Sequence, residues 1–142
     1  MKKFIFGFLL FFLLSNHLFA KDVYLICSDQ FFVLQKNGKE LVEKESETTL
    51  FDNKYSNPET LFKNIFQNER IYIFNNFKDP YSRYYMIDRD TLKIFYKLYY
   101  TDERVLFGEK SPKPPSEISV LANEIFDQDV TNQCFIKGEP KI

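Results

Sequence analysis

The chain has 142 residues, with 19 Lys and Arg against 20 Asp and Glu and a formal net charge of −1. That length suits one domain on the usual scale of ~100–200 residues, and charge so evenly divided excludes the concentrated basic face that phosphate backbones require, so nucleic acid is not an expected partner.

Lys2 and Lys3 precede an apolar run from Phe4 to Leu14, and Leu18-Phe19-Ala20 offers a small residue for cleavage. This is the layout of an export signal. The run falls short of the ~20 apolar residues that a spanning helix needs, so the expected product is a single exported domain over residues 21–142, periplasmic or secreted, with no stable membrane span after cleavage. The two leader lysines depart with it, leaving 17 basic and 20 acidic side chains.

Val23 to Ser28 and Phe31 to Gln35 read as short strands, and Asn37-Gly38 before Lys39 to Val42 is a strong hairpin signal. Glu43 to Glu47, charged and polar, reads as a solvated strand end or loop. Asn57-Pro58-Glu59 resembles a helix start, and Leu61, Phe62, Ile65 and Phe66 recur at helical spacing, which predicts a short helix over 58–67. Three strands follow at Ile71 to Phe74, Arg83 to Ile87 and Leu92 to Tyr100, the last carrying Leu92, Ile94, Tyr96 and Leu98 on one side. Asp79-Pro80 and Arg89-Asp90-Thr91 supply their turns, and the three form an antiparallel meander. Val105 to Phe107 adds a brief strand before Gly108. Lys110 to Pro115, with three prolines, is an extended surface loop. Ser116 is placed to cap a second helix, about 117–127, whose Ile118, Leu121, Ala122 and Ile125 form one apolar stripe facing the core. A last strand around Gln133 to Ile136 returns Cys134 to Cys27. The expected fold is mainly β, bordering on α+β: a small antiparallel barrel or sandwich with one or two short helices.

Export delivers Cys27 and Cys134 to an oxidising compartment, where they are expected to pair and close the fold end to end. Leu25-Ile26 before Cys27 lacks the small residues of a lipoprotein signal, so no lipid anchor is expected. With His17 in the leader, the exported domain has no imidazole for a Ser-His-Asp or Cys-His constellation and no ordinary zinc or copper site. With both cysteines bridged it has no thiolate. No cofactor and no metal are expected. Carboxylate chemistry remains, and it needs two acids held ~5–9.5 Å apart. Asp88 with Asp90 and Asp127 with Asp129 are close pairs whose simpler role is to form a turn and to end a helix. Asp127 to Asn132 begins like a calcium loop but has no glycine at its sixth place and no acid at its twelfth.

Tyr72, Tyr81, Tyr84, Tyr85, Tyr96, Tyr99 and Tyr100 crowd one region. Strands of this kind cannot bury both faces, so Tyr81, Tyr84, Tyr85, Tyr99 and Tyr100 are the candidate binding residues, with ordinary sheet packing as the alternative role. Tyr24-x-x-Cys27 near the expected start, the aromatic strands and the closing Cys134 resemble the layout of small periplasmic β-barrel proteins of the C-type lysozyme inhibitor kind. The resemblance implies an exported, non-enzymatic inhibitor; the Ser-Gly that opens that family's inhibitory loop is Ser82-Arg83 here, and there is no tryptophan. Ile87-Asp88-Arg89-Asp90-Thr91 also resembles a turn in small exported bacterial proteins of unknown role. The leading expectation is therefore a non-enzymatic domain that binds a macromolecular partner in the envelope, as an inhibitor or accessory. A carrier of a small apolar ligand in a Tyr-lined cavity is the alternative, and a carboxylate enzyme the third.

Overall fold

A computed structural model describes residues 22–51, 60–101, 105–106, 109–110, 112–127 and 131–138. The expected leader, the Asn57-Pro58-Glu59 helix start, Phe107-Gly108 and Asp129 lie outside the described residues.

Eight strands form a closed antiparallel barrel: β1 Val23–Cys27, β2 Gln30–Gln35, β3 Glu40–Lys44, β4 Leu61–Gln67, β5 Ile71–Lys78, β6 Tyr81–Asp88, β7 Lys93–Tyr100 and β10 Thr131–Lys137. β1 to β7 follow one another around the wall, and β10 closes the ring between β7 and β1. Two short strands, β8 Val105–Leu106 and β9 Glu109–Lys110, pair with each other outside it. Among the described residues one helix, α1 Ile118–Phe126, lies between them and β10 in the chain.

The β2–β3 turn shows why the hairpin signal is strong. Lys36, Asn37 and Gly38 all have positive φ, and Gln35 pairs with Glu40 across the turn. Gly38 has a second reason to be glycine, because a Cβ there would stand 2.9 Å from the Tyr72 ring. At the β6–β7 turn, Asp88 Oδ1 accepts from the backbone N–H of Asp90 at 2.9 Å and of Thr91 at 3.1 Å, so this acid is a turn former.

Alternation along the strands sends one set of side chains inward. Leu25, Phe32, Leu41, Phe62, Phe74, Tyr85, Ile87 and Ile94 pack there with the two cysteines. Phe32, Phe62 and Phe74 are all 0 % exposed, so no water-sized void touches them, and side chains fill this part of an eight-stranded interior. Cys27 and Cys134 are direct cross-strand partners and are bonded at 2.00 Å. The disulfide therefore lies in the wall where β10 closes the barrel.

Two outer flanks are also covered. The stripe of α1, with Leu121 and Ile125 buried, packs on Ile73, Tyr84, Met86, Phe95 and Tyr99 of β5, β6 and β7. The apolar stripe thus builds a second core outside the barrel. Leu50 and Phe51 cover Val33 and Val42 of β2 and β3. Glu117 occupies the N-cap of α1 without a side-chain cap bond, so Ser116 does not take that place.

The expected helix over 58–67 is corrected: its described part, from Leu61, is strand β4. The register shifts between Asn64 and Phe66, which turns Phe66 to the outer face after Phe62 has pointed inward. Apolar residues four apart usually share a helical face. Here a β-bulge gives them opposite faces of a strand.

Candidate functional site

Inward positions change character toward the end of the barrel where β3, β5 and β7 finish and β2, β4 and β6 begin. On β3 Leu41 is followed by Glu43, on β2 Phe32 is preceded by Gln30, and on β6 Ile87 and Tyr85 give way to Arg83 and Tyr81. β10 adds Asn132. Its pairing with β7 runs only from Thr131 opposite Phe95 to Gln133 opposite Lys93, so the part of β7 from Tyr96 onward extends beyond it. At this notch lies a pocket of about 300 Å³, lined chiefly by Gln30, Glu43, Arg83, Tyr85, Tyr96 and Asn132.

A hydrogen-bond chain orders one wall. Asn132 Nδ2 donates to Gln30 Oε1 at 3.0 Å, and Gln30 Nε2 donates to the Tyr85 hydroxyl at 3.2 Å. The Tyr85 ring is wedged between Phe32 and Phe62, with centroids 5.0 and 4.9 Å away, so its position is set by the apolar core below. Arg83 is held from the other side. Its Nη2 donates to Asn76 Oδ1 at 3.1 Å and its guanidinium lies 5.2 Å above the Phe62 ring. Asn76 is itself fixed by a 2.6 Å bond from its Nδ2 to the Leu61 carbonyl.

Burial raises the Glu43 carboxyl above its ordinary value, and the Arg83 charge opposes that rise. Burial also raises the hydroxyl pKa of Tyr85, with the Glu43 charge adding to the effect. Tyr96 is raised by burial first, with Arg83 opposing and Glu43 reinforcing. Both hydroxyls therefore stay protonated and able to donate near neutral pH.

The five candidate tyrosines do not form one surface. Tyr81 and Tyr100 are cross-strand partners at the rim, with ring centroids 5.4 Å apart. Tyr85 is inside the barrel. Tyr84 and Tyr99 are on the outer wall beneath α1, 8 % and 0 % exposed, so these two take the sheet-packing role rather than that of a binding surface. Their rings meet edge to face at 5.5 Å, and the Tyr99 hydroxyl donates to Glu124 Oε2 at 2.6 Å, which ties β7 to the helix. The pocket residues Gln30, Glu43, Arg83, Tyr96 and Asn132 were not among the candidates. Glu43 is half-buried at the barrel mouth rather than in a solvated strand end. The signal for it was the period of two: Glu43 shares a face with Leu41, and Arg83 shares one with Tyr85.

Among the described residues no group of three or more His, Cys, Asp or Glu could hold a metal ion, and no helix is long and apolar enough to cross a membrane. Comparison with protein-family models, curated proteins and solved structures finds no match.

Proposed function

We propose that this chain is a non-enzymatic binding domain that works outside the cytoplasm and receives its ligand, or a group projecting from its partner, in the polar pocket at the barrel mouth. The observation that carries the reading is the convergence of polar inward-facing residues on one pocket at the mouth where β2, β4 and β6 begin. Six hydrogen-bonding side chains converge there on a space of about 300 Å³, the lower end of the usual size of small-molecule sites, ~300–1,000 Å³. The disulfide is the chemistry of an oxidising compartment and is compatible with this location. The pocket lining contains a single carboxyl, Glu43, so the two-acid geometry of glycoside hydrolysis has no second member in it. The interior below is filled by the protein's own rings, which favours a polar group at the mouth over an apolar ligand carried inside.

A second reading rests on the tip of the β5–β6 hairpin, where Phe77 is 66 % and Tyr81 41 % exposed. Large aromatics placed on a protruding turn suit contact with a macromolecule. Native mass spectrometry of protein released from its own envelope separates the two. A retained mass that is lost in Tyr96→Ala and kept in Phe77→Ser supports the pocket; the reverse pattern overturns it in favour of the hairpin tip.

A further inference from the structure

Taking the pocket as the binding site, the chemistry of its lining also defines what fits. One cation, Arg83, and one anion, Glu43, balance each other, four other groups, Gln30, Tyr85, Tyr96 and Asn132, are uncharged and polar, and Ile94 and Phe95 complete the lining. A net charge on the ligand would meet a like charge on one side. An apolar ligand would strand the polar groups, each of which loses water on binding and costs roughly tenfold or more in affinity when left unpaired. Among the described residues neither the Glu43 carboxylate nor the Tyr96 hydroxyl makes a hydrogen bond; no polar atom buried in a residue that is not itself exposed lacks a partner, so the Glu43 carboxylate still reaches water, and Tyr96 is an exposed residue. What replaces that water must both donate and accept, as hydroxyl groups do.

The aromatic geometry adds a second requirement. Tyr85 is almost fully buried, whereas Tyr96, packed against it at 5.1 Å, is 38 % exposed and is the more open of the two tyrosines lining the pocket. A ligand here meets one aromatic platform and several planar polar groups. A pyranose ring matches both, having C–H bonds on its faces and hydroxyls around its edge. A space of about 300 Å³ corresponds to about ten waters at ~30 Å³ each, room for one such ring and little more.

We propose that the pocket binds a single neutral sugar unit, with its apolar face on Tyr96 and neighbouring hydroxyls donating to the Glu43 carboxylate, while Asn132 and the protonated Tyr85 hydroxyl address the remaining edge. The unit is either a free monosaccharide or one residue of a longer glycan. In the second case the glycan continues toward the Tyr81–Tyr100 pair at the rim, four positions along β7 from Tyr96 and two along β6 from Arg83.

The test is a ¹H–¹⁵N titration of the oxidised protein with glucose, galactose, mannose and N-acetylglucosamine, with their oligosaccharides in parallel, and with L-alanine, L-glutamate and decanoate as other ligand classes. Saturable shifts at Gln30, Glu43, Tyr96 and Asn132 are expected with at least one sugar, weakened tenfold or more in both Tyr96→Ala and Glu43→Gln while the remaining spectrum is retained. Tighter binding of the oligosaccharide with added shifts at Tyr81 and Tyr100 identifies a glycan; equal affinity identifies the free sugar. Shifts at the same residues from an amino acid or decanoate, with none from any sugar, overturn the sugar assignment and leave the pocket standing. Sugar-induced shifts confined to other residues overturn both, and no shift from any probe overturns the sugar assignment.

Discussion

Gly38 and Glu43 show how much can depend on one position. Gly38 combines φ +81° with the Tyr72 ring at its back, so Gly38→Ala adds backbone strain to a steric clash. The variant is expected to lose about 1 kcal/mol or more, read as a lower midpoint in urea with an unchanged slope. Glu43 acts through pH. Its carboxyl is raised in the folded state by burial, so above its unfolded value of about 4.5 the unfolded chain holds fewer protons than the folded one at this group. This site's contribution therefore falls as pH rises from about 4.5 through the folded value, and above that range the ionised carboxylate disfavours folding. Glu43→Gln removes the dependence. The expected result is a higher midpoint than the parent at pH 7 and a difference that shrinks toward pH 4. A variant that is less stable at pH 7 would show that the attraction to Arg83 outweighs burial.

The strands were legible as short apolar runs between turn signals, and the helix as a stripe of period 3.6. β1 to β3 and β5 to β7 are short apolar runs bounded by turn residues, Asn37-Gly38 marks its turn, and α1 keeps a stripe of four apolar residues. β4 was not legible, because its bulge inserts a residue and gives Leu61, Phe62, Ile65 and Phe66 the spacing of a helix. The polar pocket was legible only in part. Its residues come from β2, β3, β6, β7 and β10, and their meeting depends on closure, which no local pattern states. Which tyrosines pack and which face the rim is not legible for a related reason: the stripe of α1 points to a core but does not say which sheet face it covers, and that face is the outer wall of β5, β6 and β7. Tyr99→Phe should keep the packing and lose the bond to Glu124, at a cost of ~1.5–3 kcal/mol for a charged acceptor. Replacing Tyr84 and Tyr99 together by Ser should unfold the outer core, since each truncation of a buried aromatic costs on the order of 3–5 kcal/mol. Near-native circular dichroism and melting of the double variant would contradict the burial described here.

Closure of the barrel rests on a strand that divides its loyalty. β10 pairs with β7 over Thr131 to Gln133 and with β1 over Cys134 to Lys137, so at each edge it holds only part of its neighbour. Cys134 is the first residue paired with β1, and its backbone N–H also donates to the Leu92 carbonyl at 2.9 Å. The disulfide thus joins the changeover point of β10 to the end of β1 across a sequence separation of 107 residues. A cross-link over a loop this long restricts the unfolded chain strongly, by ~4–5 kcal/mol in the chain-entropy model, and removal of such a native bridge commonly costs ~2–5 kcal/mol. Cys134→Ala is therefore expected to lower stability by about 2–5 kcal/mol, and thiol titration of the denatured, unreduced parent should find no free thiol. The geometry also predicts where the loss is felt first. Because β10 has only three residues paired to β7, its amides should lose hydrogen-exchange protection in the variant before those of β5 and β6, whose eight-residue pairing does not involve the bridge. Asn132 belongs to β10, so the pocket wall built from Asn132, Gln30 and Tyr85 should loosen with it, and ligand affinity should fall together with β10 protection. Loss of protection spread evenly over all strands would mean instead that the bridge acts on the unfolded chain alone and that the barrel closes without it.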